Sequence, residues 1–314
     1  MNLHDPQLLI LLGAIFGLLI VASLIGYVLS LRTMSLPQQA TVANLNARIR
    51  AWWLMCIVFM VALSTGLIGA VILFGLISLL ALREFVTLTP TRRADHEPLL
   101  WSFFVILPLQ YVLVEMRWYG MFAIMIPVYG FLFLPARAAI AGDTRDFLER
   151  TAKTQWGIMV CVYCVSYAPA LLMLDIDGYT GQNAKLLLFL VVVVQLSDVM
   201  QYVFGKLFGK HKIVPKLSPN KTVEGFVGGV LGASAIGMAM CWMTPFSVWA
   251  AAAIALLIAL AGFAGGLCMS AIKRDSGIKD FGALIEGHGG VLDRIDSLCF
   301  AAPIFFHVVH YYYM

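Results

Sequence analysis

From Leu8 to Leu31 the chain runs without a single charged residue, and further apolar runs follow it with no long polar stretch between them. That succession constrains the fold more than any other feature. Crossing a bilayer core takes about 20 predominantly apolar residues in a helix, and Leu8–Leu31 and Val248–Met269 both reach that length. Hydrophobic residues make up 61% of the 314 and charged residues 12%, against roughly 45–50% and about 25% in soluble domains. An all-α, polytopic integral membrane protein is expected. About ten spans can be read: Leu8–Leu31, Ala51–Thr65, Gly66–Leu82, Leu100–Met116, Trp118–Leu134, Gln155–Leu174, Lys185–Phe204, Phe226–Met243, Val248–Met269 and Val291–Tyr313.

The stretch Ala51–Leu82 is ambiguous. As one helix it would measure about 48 Å at 1.5 Å per residue, too long for a core of about 30 Å; broken at Ser64-Thr65-Gly66 it gives two short helices. Charge decides between them, because cytoplasmic loops collect Lys and Arg. With ten spans and both termini outside, every Lys and Arg of the 21 except Arg117 and Lys185 falls on the inner side. These are Arg32, Arg48 and Arg50, then Arg83, Arg92 and Arg93, then Arg137, Arg145, Arg150 and Lys153. Lys206, Lys210, Lys212, Lys216 and Lys221 follow, and last Lys273, Arg274, Lys279 and Arg294. A single span over Ala51–Leu82 would invert every later segment, so a hairpin is expected. The first apolar run is read as a retained helix. It is longer than the roughly 7–15 residues of a signal-peptide core, and no Lys or Arg precedes it.

All six cysteines lie inside or at the edge of apolar runs. Cys161 and Cys164 form a CxxC, a spacing used by redox and zinc sites, but inside an apolar span small packing side chains are the expectation. The net charge of +4 is modest. No internal repeat or linker stands out. Two regions are expected: residues 1–184 as a helical scaffold offering a homodimer interface, and 185–314 as a catalytic part with cytoplasmic loops at 205–225 and 270–290.

Polar residues concentrate in those two loops, beside carboxylates at helix ends. Asp198 follows the apolar run Leu186–Leu196, and ionisable groups at membrane depth usually mark functional sites; the alternative is a pair with a neighbouring lysine. The loop beyond it contains Ser218-Pro219-Asn220-Lys221-Thr222, whose hydroxyls, amine and turn residues suit phosphate oxygens, although the Walker spacing is absent. Glu224 is compatible with a helix cap. Asp293 and Asp296 share one face of the last helix, near its N-terminus where the dipole favours acids. Two carboxylates there need a cation: Mg²⁺ is the better partner beside phosphates, and pairing with Lys273, Arg274 or Lys279 is the alternative. Gly287-His288-Gly289-Gly290 supplies backbone that a ligand can approach closely.

At these residues the chain resembles the phosphatidate cytidylyltransferase (CDP-diacylglycerol synthase) family. Ser270 to Asp296 keeps the pattern S-x-x-K-R, K-D, H-G-G-x-x-D-R-x-D with its spacing. Asp198 to Gly225 keeps D-x-x-x-Y-x-x-G-x-x-F-G-K-H-K and K-x-S-P-x-K-T-x-E-G. Together these cover about a third of the chain. The resemblance implies transfer of CMP from CTP to phosphatidate, releasing pyrophosphate, in the inner (plasma) membrane with the site facing the cytoplasm. It implies Asp198, Asp293 and Asp296 around Mg²⁺, with room for a second cation. It assigns catalytic roles to Asp198, Lys273, Asp293 and Asp296, and substrate contacts to Ser218, Lys221, Thr222, Ser270, Arg274, Lys279, His288 and Arg294. Membrane lipids are the implied surroundings, and no nucleic acid is implied as partner. Three positions depart from the family pattern: Gly266 where bacterial members carry an acid, Glu286 where a proline is usual, and Gln201 in place of a small residue. They point to a divergent paralogue, and the alternatives are a different lipid phosphate as acceptor, a transporter or an inactive copy.

Overall fold

Each of the ten apolar runs becomes a helix in the computed structural model, which describes residues 6–31, 35–284 and 289–314. They are α1 (Pro6–Ser30), α2 (Leu36–Ser64), α3 (Leu67–Thr87), α4 (Arg93–Glu115), α5 (Tyr119–Ile140), α6 (Phe147–Met173), α7 (Ala184–Phe208), α8 (Val223–Ala239), α9 (Val248–Asp275) and α10 (Leu292–Tyr313). Among the described residues there is no strand, and Lys212 and Thr222 form an isolated bridge. Eight of the helices are long and apolar enough to cross a membrane. The other two are α8, with 17 residues, and α10, whose 22 residues begin with Asp293, Arg294 and Asp296 in the first two turns. The chain is an all-α, polytopic membrane protein.

The hairpin expected at Ser64-Thr65-Gly66 is present. α2 ends at Ser64 and α3 begins at Leu67, with Gly66 at φ +75°, a left-handed conformation that glycine adopts without a steric penalty. The expected boundaries need correction elsewhere. α2 begins at Leu36, so Arg48 and Arg50 lie on a helix rather than in a loop, while Arg32 is outside the described residues. The two functional loops are shorter than expected, 209–222 and 276–291, because α7 continues to Phe208 and α9 to Asp275. Hydropathy marks where side chains stop being apolar, whereas backbone hydrogen bonds carry a helix on past that point; long basic side chains there reach the interface.

Three spans are interrupted by π-helical turns at Ser102–Ile106, Met125–Gly130 and Met159–Cys164. The first two lie beside or around a proline, Pro108 and Pro127, and Pro169 follows the third five residues on. A proline removes one N–H and crowds the carbonyl four residues back, and a local π adjustment re-pairs the freed groups. Cys161 and Cys164 sit in the third of these turns as free thiols. Among the described residues no group of three His, Cys, Asp or Glu is disposed to hold a metal.

The second half packs as a sequence of neighbours, α7 on α8, α8 on α9 and α9 on α10, while α3 and α6 cover the other side of α10. Apolar burial cannot hold helices together in lipid, so close backbone approach between small residues takes its place. On α9, Gly262 lies against Ser297, and Gly265 against the Asp296 carbonyl and Phe300. A Cβ at Gly265 would sit 2.7 Å from that carbonyl oxygen. Gly265→Ala is therefore expected to push α9 and α10 apart and to destabilise the protein by about 1–3 kcal/mol. Thermal unfolding in detergent would check this, and an unchanged midpoint would contradict it.

Contacts between loops tie basic segments together in pairs. Arg92 pairs with Asp146 at 2.7 Å, joining the α3–α4 and α5–α6 connections. Buried Arg150 holds Asp95 at 3.0 Å and the Asp143 carbonyl at 2.7 Å beneath them. Arg274 donates to the Leu217 carbonyl at 3.3 Å and to the Ile278 carbonyl at 3.0 Å, fastening the 209–222 loop to the 276–291 loop. Lys185 begins α7 at the other end of that helix, buried, and donates to Gln182 at 2.8 Å.

Candidate active site

Where α7, α9 and α10 meet, Asp198 and Asp296 come together through one hydroxyl. Ser297 Oγ donates to Asp198 Oδ2 at 2.9 Å and lies 3.5 Å from Asp296 Oδ1, and the Ser297 N–H bonds the same Asp296 oxygen at 2.7 Å. The side chain of Lys221 enters from the 209–222 loop. Its ammonium lies 4.7 Å from the centre of the Phe263 ring. A Cβ on Gly266 would lie 2.9 Å from that Nζ, so the ammonium rests on the α9 backbone where any larger residue would intrude. Burial pushes the Lys221 pKa below the ordinary lysine value; Asp296 and Asp198 pull it back up, and Lys273 pushes it down. Two carboxylates and two ammonium groups therefore share one electrostatic environment.

Asp293 does something different from its neighbour one turn on. Its Oδ1 accepts from Lys273 Nζ at 2.9 Å, and its Oδ2 from the N–H groups of Phe281 at 2.8 Å and Gly290 at 3.0 Å. Of the alternatives the sequence leaves open, this is the pair with Lys273. Among the described residues no group of three acids is disposed to hold a metal, and three hydrogen bonds on Asp293 fasten the 276–291 loop to the start of α10. Mg²⁺ usually takes one or two carboxylates and leaves the rest of its shell to phosphate oxygens and water. Asp198 and Asp296, tied to one serine, fit that smaller demand.

The other expected contacts divide according to what already occupies them. Thr222 is buried and caps α8, its hydroxyl accepting from Gly225 N at 3.1 Å. Glu224 is not the cap: its carboxylate accepts the N–H of Lys210 at 3.0 Å and bonds His211 Nδ1 at 2.6 Å, holding the loop instead. Ser270 donates back to the Gly266 carbonyl at 2.6 Å within its own helix. Arg274 is the loop fastener described above. Ser218 is half-buried in the turn leading to Lys221, and Lys279 is exposed. Arg294 has its Nε buried with no hydrogen-bond partner among the described residues, a donor left over for an anion. His288 and Glu286 lie outside the described residues. Gln201, the unusual residue one turn after Asp198, donates to Ser197 at 3.0 Å, and its chain fills the space over Gly229.

Two participants do not stand out in the sequence reading. Ser297 follows directly on the last motif residue, and its link to Asp198 spans 99 positions. Glu84 lies near the end of α3, and its two oxygens accept the N–H groups of Val291 at 3.0 Å and Leu292 at 2.9 Å. Its signal is the same as that of Asp198, a lone acid at the polar end of an apolar helix, but its neighbour Arg83 disguises it as half of a surface pair.

The fold and site thus define an integral membrane protein with a cluster of carboxylates and cations at one end of its helices, suited to polyphosphate chemistry. Comparison with known families supplies the particular: the model of the cytidylyltransferase family matches residues 46–312, and the chain belongs to that family. It is a CTP-dependent nucleotidyltransferase by class. The chain is 40% identical over 303 residues to the uncharacterized protein YnbB of Escherichia coli K12, covering 96% of this chain and 97% of that one. It is 40% identical over 126 residues to the phosphatidate cytidylyltransferase of Staphylococcus aureus strain COL, and 43% over 126 residues to that of Staphylococcus saprophyticus. Those two matches cover 40% of this chain and 48% of each enzyme.

Proposed function

We propose that the protein transfers CMP from CTP to a lipid phosphate, phosphatidate in the first instance, forming CDP-diacylglycerol and pyrophosphate at the cytoplasmic face of the inner (plasma) membrane. The observation that carries this reading is the convergence of Asp198, Asp296, Ser297 and Lys221 at the end of the bundle that carries the 209–222 and 276–291 loops. The positive-inside tendency favours a cytoplasmic setting for that end, where CTP is available, with the lipid entering sideways between helices.

A phosphate monoester has a second pKa near 6, so the lipid phosphate is already largely dianionic and needs no strong base. Its oxygen attacks the α-phosphorus of CTP, the bond from that phosphorus to the β-phosphate bridge breaks, and the electron pair leaves with pyrophosphate. The remaining problem is to align two polyanions and neutralise their charge. Asp198 and Asp296 would hold Mg²⁺, which supplies charge neutralisation on the phosphates when bound. Lys221 and Arg294 face the phosphate oxygens. Lys273, held by Asp293, keeps a positive charge next to them, and Lys279 attracts the nucleotide from the exposed loop. A homodimer through the N-terminal helices is compatible with this arrangement.

The test is a Mg²⁺-dependent assay of the purified protein in lipid with labelled CTP and phosphatidate. Formation of CDP-diacylglycerol supports the reading, and no turnover with any lipid phosphate overturns it. A second acceptor is favoured by one observation: similarity to named phosphatidate enzymes spans 126 residues, whereas similarity to the uncharacterized YnbB spans nearly the whole chain. The helices outside the shared part are where a lipid-binding groove would differ. A panel including polyprenyl phosphate separates the two readings.

The lowered pKa of Lys221 has a consequence for pH. A depressed ammonium loses its proton at a lower pH than an ordinary lysine, near 10.4. The alkaline limb of kcat/KM, which reports free enzyme, is therefore expected below that value. Lys221→Arg keeps its charge and should move the limb upward. A limb that does not move would remove Lys221 from phosphate binding.

A further inference from the structure

Glu84 is contributed by the first half of the chain, far in sequence from every motif residue, yet it ends against the start of α10. The first four N–H groups of any helix have no partner within it. In α10 the N–H groups of Val291 and Leu292, at that start, are both taken by the two oxygens of this one carboxylate. The end of α3 thereby meets the start of α10, an acid at the positive end of a helix dipole.

The surroundings are shaped to admit it. A Cβ on Gly290 would lie 2.4 Å from Glu84 Oε2 and 2.8 Å from Oε1, and one on Gly282 would lie 2.7 Å from Oε1. Gly282 and Gly290 thus leave room for a carboxylate from another helix. The same turn of chain carries Gly290 N, which bonds Asp293, and leads within two turns to Asp296 and Ser297. Through one carboxylate, the scaffold sets the position of the loop and of the helix that bears the acidic residues.

We propose that Glu84 is a positioning residue of the transferase site: by bonding the N–H groups of Val291 and Leu292 it fixes where α10 presents Asp293 and Asp296. The inference rests on the reading of the site given above, but its structural half can be tested without turnover. Glu84→Gln keeps one acceptor oxygen and sets an NH₂ against the other N–H. Hydrogen exchange of the Val291 and Leu292 amides, measured on the full chain in lipid nanodiscs, should accelerate in Glu84→Gln and stay unchanged in Arg137→Ala, which breaks the Arg137–Glu97 ion pair elsewhere. In the transfer assay kcat should fall about 10- to 100-fold, as misplacement of a site by about 1 Å does, with KM for CTP changed much less. Glu84→Asp, which keeps two acceptors on a shorter stem, should recover part of the loss.

Gly290→Ala supplies the coupling test. It should be damaging beside Glu84 and nearly silent in a Glu84→Ala background, where the methyl group has space. Equal cost in both backgrounds, or unchanged exchange at Val291 and Leu292, would overturn the proposal. Accelerated exchange in a protein that transfers CMP to no lipid phosphate would leave the Glu84 contact standing and sink the assigned reaction instead.

Discussion

Asp296→Asn is expected to lower cytidylyl transfer by roughly 10²–10³-fold while the protein still folds, the scale seen when one electrostatic contact to a developing charge is lost. The substitution preserves shape, and the amide oxygen can still accept the Ser297 N–H that now reaches Asp296 at 2.7 Å. What disappears is one of the two negative charges that meet at Ser297 and hold Lys221 in their field. The same loss is expected of Asp198→Asn. Steady-state kinetics beside a thermal unfolding curve separate the two effects: an intact transition with slow transfer supports the site. Full activity in either variant would mean that charge is neutralised somewhere else.

Asp293→Ala should produce a different defect, a loss of about 1–3 kcal/mol of stability, because buried amide donors lose their acceptor and Lys273 loses its hydrogen-bonded partner. Both partners are enclosed, at 13% and 3% side-chain exposure, and the Phe281 and Gly290 N–H groups lose their acceptor in the same step. Lys273→Ala should cost less, since Asp293 still accepts from the two amides. Unfolding midpoints in detergent would rank the pair. If Asp293→Ala were as stable as the parent yet inactive, Asp293 would belong with the metal-binding acids and not with the fasteners.

The contrast between these neighbouring carboxylates marks where the sequence stops being informative. Spacing of three places Asp293 and Asp296 on one helical face and predicts a shared cation. It does not reveal that the 276–291 loop folds back to give Asp293 two amides and a lysine, because the partners Phe281, Gly290 and Lys273 come from outside the helix. Thr222 and Ser270 teach the same lesson: each carries a hydroxyl in a motif, and each uses it on nearby backbone. Glu84 is the opposite case, a residue with no motif around it that the bundle brings to the centre of the site.

Among the described residues, the helices and the break at Gly66 could be read from the chain alone, and the side on which the basic residues gather is an expectation from the same composition. In a bilayer every backbone polar group has to be paired inside its own segment, and basic residues are sorted by side, so local composition carries that information. The site's order could not be read so far. Which carboxylate meets which cation depends on how α3, α7, α9 and α10 approach one another, and that is settled by the small residues at their crossings and the few hydrogen bonds spanning them. Those contacts join residues 20 to 208 positions apart, and only the packed bundle brings them together.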